Sequence, residues 1–267
     1  MSSASPRQAD TGLFDRGPFH WAVNGARVAR FGAALVALAL TPSTWTPRAG
    51  AMLARHLVLD TAPILVGFTV LCALLTLVIT RIVVVTAQSY GLSQYALEMV
   101  IRVLVLELIP LTAALFVALR CTIPNGAALG EMRRNGQFEA LRRKGLEPFG
   151  AEAVPRMVAG MFATITLAAL TSVVAMVLAY LAVNGLSEAG LAAYTRMFGR
   201  VFNGTVSLVF VLKTLFFSLA VAVIPMASAL HGRHGHGSRE RAALQGLVRM
   251  FAVLLLLEAV SLVGNYY

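Results

Sequence analysis

Residues 130–150 read GEMRRNGQFEALRRKGLEPFG. Taken alone, this is the surface of a water-soluble protein, with Arg133, Arg134, Arg142, Arg143 and Lys144 set against Glu131, Glu139 and Glu147. Its flanks are the opposite. Apolar runs over 99–120 and 157–183 lie on either side, and about 20 such residues are enough to cross a bilayer as a helix. A charged island between two runs of that length is a connector between membrane spans.

The rest of the chain agrees. Of its 267 residues, 58% are hydrophobic and 13% charged, where a soluble domain has about 45–50% and about 25%. No hydrophilic segment is long enough for a second domain. The expectation is an all-α integral membrane protein with one domain over 1–267 and five transmembrane helices. The spans fall at about 57–85, 95–121, 153–183, 201–230 and 242–264, the last interrupted by Arg249 and Glu258. The segment 18–41 is shorter in apolar reach. Its unbroken part, 31–40, covers about half a crossing at 1.5 Å per residue. Asn24, Arg27 and Arg30 precede that part, Pro42 and Pro47 end it, and Trp21 stands at its start. These features predict a helix lying in the interface; a sixth spanning helix is the rival reading.

Charge placement orients the chain. The net charge of +10 could suit nucleic acid, but the basic residues gather in short connectors, as the positive-inside bias produces. The 127–148 connector holds five of them, and 231–241 (HGRHGHGSRER) holds Arg233, Arg239 and Arg241. By contrast 86–94 has no charge, and 184–200 has Glu188, Arg196 and Arg200. The basic connectors are therefore expected in the cytoplasm, with the N-terminus inside and Tyr266 and Tyr267 outside. The start, MSSASPRQADTGLFDRG, lacks a basic n-region followed by an apolar run, so the mature chain is expected to begin there.

Enzyme signatures are missing. Lys144 and Lys213 are the only lysines and neither completes a phosphate loop, so this chain is not expected to hydrolyse ATP. There is no HExxH and no GxSxG. Cys72 and Cys121 give neither a disulfide framework nor a metal spacing. Glycines separate His231, His234 and His236, which favours a flexible turn over a metal site. Charges inside spans are functional or pair with one another; Arg102, Glu107, Lys213, Arg249 and Glu258 qualify, and for Glu107 both readings stand. Gly160, Thr164, Ala168 and Ser172 recur every fourth position and make a ridge for close internal packing. Within the island, Gly136, Gly145 and Pro148 bracket a short helix over 136–145. Phe138 and Leu141 share one face of it, with Glu139, Arg142 and Arg143 around them. An apolar knob with a charged rim predicts docking onto a soluble partner, with Phe138 filling a groove there; a solvated connector is the alternative.

ELIPLTAALFVALR (107–120), followed by ALGEMRRNGQFEALRRKGLEPFGAEAVPRMVAG (128–160), resembles the core of the MlaE (YrbE-like) permeases, membrane subunits of MCE-type lipid ABC transporters. Order and spacing hold without a gap from 107 to 160. Pro110, Arg120, Gly130, Gly145, Pro148, Pro155 and Arg156 fall on motif positions that the resemblance marks as structural. It implies a non-catalytic permease subunit in a bacterial inner membrane, moving phospholipids or related lipids. The implied partners are a second copy of the chain, two cytoplasmic ATPase subunits that carry ATP and Mg, a periplasmic hexamer of MCE domains, a STAS-like accessory subunit and the lipids themselves. No cofactor is implied for this chain. Gln137, Phe138, Glu139, Leu141 and Arg142 would form the ATPase-coupling helix. Arg55 matches a basic family position and, with Glu107, is the candidate for substrate binding. There are departures: the family's glutamate falls on Ala128 and its threonine on Glu131, Gly136 replaces a Glu, Leu106 an Arg, and Arg81 a small residue. From the residues alone, a non-transporting membrane scaffold remains open. So does a secondary transporter, although such folds favour internal repeats and none is visible.

Overall fold

The computed structural model describes residues 18–231 and 238–266, and every regular element among them is helical. The first helix, α1 (Pro18–Leu40), is followed by α2 (Pro47–Ser89). The Thr46 side chain accepts a hydrogen bond from the Ala49 N–H at 3.3 Å and caps α2. Pro47 takes the first helical position, where a missing N–H leaves no bond unmade. That cap starts α2 well before its apolar stretch at 57.

A single helical column then runs from Tyr95 to Arg134. It is assembled from α3 (Ser93–Val100), α4 (Ile109–Val117) and α5 (Ile123–Arg134), joined by π-helical turns at Ile101–Leu108 and Ala118–Thr122. Each π turn ends just before a proline, Pro110 or Pro124. A proline has no N–H for the carbonyl four residues back, and its ring collides with that carbonyl; the wider π turn makes room. The pattern recurs where the π turn Phe149–Ala153 precedes Pro155 at the start of α7 (Val154–Asn184). Between the column and α7 lies the short α6 (Gln137–Arg143), bounded by Gly136 at φ 70° and Gly145 at φ 72°, a backbone region that glycine enters without strain. The chain continues through α8 (Leu191–Val201), α9 (Gly204–His231) and α10 (Ser238–Tyr266).

Among the described residues, five helical stretches are long and apolar enough to cross a membrane: Pro47–Ser89, Tyr95–Arg134, Phe149–Asn184, Gly204–Leu230 and Leu244–Gly264. The Tyr95–Arg134 column is the most buried of the five. The protein is an all-α, multi-pass membrane protein. Aliphatic side chains such as Val66, Leu74, Ile82, Leu208, Leu256 and Val260 cover its outside, an apolar exterior far larger than a water-soluble monomer carries. Because lipid tails are as apolar as leucine, close packing has to hold the helices together. Gly126 and Gly130 supply it on α5. A Cβ at either position would lie 3.0 Å from the Pro225 or Ala229 carbonyl oxygen of α9. The ridge Gly160, Thr164, Ala168 and Ser172 on α7 is buried inside the chain, and a Cβ at Gly160 would meet Thr122 Cγ2 at 2.7 Å.

Candidate functional site

Two clusters of polar side chains stand out against this apolar bundle. The first surrounds α6. Phe138 and Leu141 are 3% and 7% exposed. The Phe138 ring meets Phe149 edge-on with centroids 5.6 Å apart, and Phe149 in turn meets Phe31 of α1 at 6.0 Å. Leu35, Leu129, Val154, Met157 and Met226 complete this apolar cluster. The expectation that Phe138 projects as a knob toward a partner is therefore corrected. The connector folds back on the bundle, so the paired apolar residues seat α6 on its own chain, and burying an aromatic side chain stabilises that seat by about 1.5–3 kcal/mol. The exposed residues of α6 are Gln137, Glu139, Ala140, Arg142 and Arg143, with exposed Lys144 just past its end. Nearby, the Arg133 guanidinium donates to the Leu230 carbonyl at 2.9 Å and closes the last turn of α9.

Behind α6 the π turn carries Glu152, 1% exposed. Its carboxylate accepts from Arg156 at 2.9 Å and from Arg48, in the first turn of α2, at 3.2 Å. Arg156 also donates to the Glu152 carbonyl at 2.7 Å and contacts Met132 Sδ at 3.7 Å. A cavity of about 170 Å³ opens between these residues and α6, lined by Arg48, Gln137, Lys144 and Glu152. Pro148 and Pro155, on either side of the π turn in sequence, are buried.

The second cluster lies deep among the spans. Lys213 of α9, 4% exposed, ion-pairs with Glu107 of the central column and, at 2.9 Å, with Glu258 of α10. It also donates to the Leu106 carbonyl at 3.1 Å. That bond falls in the π turn just before Pro110, a stretch in which the proline contributes no N–H to the ladder. Glu107 is 8% exposed, so it faces its partners within the chain. Of the other charges inside spans, Arg102 pairs with Glu98 at 3.0 Å one turn away.

Arg55 is exposed on α2 and Arg120 is exposed on the column. Between these elements lies a group that sequence reasoning missed. The Asp60 carboxylate accepts from Asn125 Nδ2 at 2.8 Å and stands 3.4 Å from His56 Nδ1, while Cys121 Sγ donates to the Asp60 carbonyl at 3.1 Å. The signal was present: Asp60 is a carboxylate inside the first apolar stretch and belonged with the other intramembrane charges. At the opposite end of the bundle an apolar cavity of about 370 Å³ lies between α7 and α8, with Val177, Tyr194 and Phe198 in its walls. Among the described residues no three His, Cys, Asp or Glu side chains are placed to hold a metal ion. His234, His236 and Arg233 lie outside the described residues, as do the side chains of His231, Arg239 and Arg241.

The arrangement provides an anchored, charged helix at one end of a five-span bundle, and a lysine that ties three of those spans together. A family model described as Permease MlaE matches residues 47–263, from the first residue of α2 into the last turns of α10. No curated protein matches the chain.

Proposed function

The chain belongs to the MlaE permease family, and from that premise we propose that it is the membrane subunit of an ABC transporter for phospholipids or related lipids, working between the inner membrane and a periplasmic MCE protein. The observation that carries the proposal is α6. Its two apolar residues are locked into the bundle while its charged residues are exposed, so a force applied to its outer face is transmitted rather than absorbed. The end carrying α6 is basic and belongs in the cytoplasm, which puts the N-terminus inside and the C-terminus in the periplasm.

In this reading two copies of the chain pair in the membrane, and two ATPase subunits bind ATP and Mg and close on the α6 surfaces. Lipid passes between the copies toward a hexameric MCE assembly, and a STAS-like subunit is a further accessory. The permease performs no bond chemistry. Its residues position and transmit. Gln137, Glu139 and Arg142 meet the ATPase, whereas Phe138 and Leu141 hold α6 rigid from behind. Arg55, exposed at the inner membrane boundary, attracts an anionic headgroup, and Lys213 with Glu107 and Glu258 makes three spans move as a unit.

The test is the double substitution Glu139→Lys with Arg142→Glu. Both side chains are exposed, so insertion and folding should match the parent. Reversed rim charges repel as well as fail to attract, so ATPase co-purification should be lost. A variant that keeps its ATPase and transports lipid at the parental rate refutes the reading.

A further inference from the structure

We infer that Arg48 is a positioning residue that ties α6 to the first membrane span, so that a displacement of α6 moves α2 together with α7. The inference rests on the reading that α6 receives the movement of an ATPase.

Three observations carry it. Arg48 stands in the first turn of α2, where the helix dipole is positive and a cation is unfavourable. Its placement therefore does not serve α2 itself. Glu152, the acceptor, is already neutralised by Arg156 on the adjacent turn, through the carboxylate at 2.9 Å and the carbonyl at 2.7 Å. A second cation from a remote segment is not needed to bury that carboxylate, and what Arg48 adds is a link of 3.2 Å between residues 104 apart in sequence. Finally, Glu152 lies in the π turn that starts with Phe149, the ring against which Phe138 of α6 is packed. Movement of α6 thus reaches Phe149 by ring contact and passes along two branches. One goes to α1 through Phe31 and the other to α2 through Glu152 and Arg48. The backbone is close-fitted along the same path, since a Cβ at Gly150 would lie 3.0 Å from Thr44 Cγ2 in the turn between α1 and α2. The turn has little room to slip, and the ion pair gives it direction.

The test uses the purified complex with its co-purifying ATPase in vesicles of phosphatidylethanolamine and phosphatidylglycerol. Arg48→Ala should leave assembly and ATP turnover near parental, because the Arg48 side chain is about half exposed and Glu152 keeps Arg156. Lipid moved per ATP should fall about fivefold or more, the lower end of typical coupling between sites. Arg48→Lys, which retains the cation, should recover most of that ratio. An unchanged ratio in Arg48→Ala overturns the inference, as does a proportional fall of ATP turnover and transport. A second readout does not depend on the transporter reading. Spin labels at exposed positions 51 and 143 of the purified chain without ATPase should give a narrow distance distribution in the parent background and a broader one with Arg48→Ala. Equal widths overturn the tie whether or not the ATPase reading stands.

Discussion

Lys213→Met removes the charge that joins Glu107 of the central column to Glu258 of α10. The lysine is 4% exposed and its two carboxylate partners are at most 14% exposed at their side chains. At an effective dielectric of about 20, each contact contributes about 4 kcal/mol of attraction at 4 Å separation. Desolvation of all three groups and repulsion between the glutamates offset much of that sum. The expected net loss is the penalty for stranding buried charge, about 3–5 kcal/mol. The triple variant Lys213→Met, Glu107→Met, Glu258→Met has similar volume and strands no polar side chain, and it should recover most of the loss, as apolar replacements of buried ion clusters do. The assay is the fraction of purified protein that stays monodisperse in detergent after heating, for the parent, each single variant and the triple variant. The cycle of differences then isolates the interaction from the separate effects of each change. If Lys213→Met survives heating like the parent, or the triple variant fares no better than the single one, the three charges are not mutually compensating and the reasoning fails.

Two further outcomes follow from the site. Phe138→Ala opens a cavity in the cluster that seats α6 and should destabilise the protein by about 3–5 kcal/mol, read as loss of heat-resistant protein before any loss of ATPase binding; a parental melting profile would mean that α6 is not anchored there. Arg55→Glu reverses a surface attraction of about 1 kcal/mol per basic residue, so native mass spectrometry should find less anionic phospholipid retained, and unchanged occupancy removes Arg55 from the lipid site.

The sequence by itself determined the class of protein, the five apolar stretches long enough to cross and the place of the charged helix. Each of these is local: a run of apolar residues long enough for a bilayer, a glycine that permits φ near 70°, a proline that ends a hydrogen-bond ladder. Residue type and spacing along the chain contain them, and the motif from Glu107 to Gly160 carried the family as well. Tertiary structure decided what the side chains face. Phe138 and Leu141 share one face of α6 in either case, but whether that face meets a partner or the parent chain depends on how the connector folds back, and spacing is silent about it. Lys213 and Glu107 stand 106 residues apart, and no local pattern pairs them. Their meeting follows from the way the column and α9 pack along each other, an approach that is closest at Gly126 and Gly130. In a bilayer the apolar effect does not choose which helices touch, so glycine-sized gaps and buried charges make that choice, and only the assembled bundle displays them.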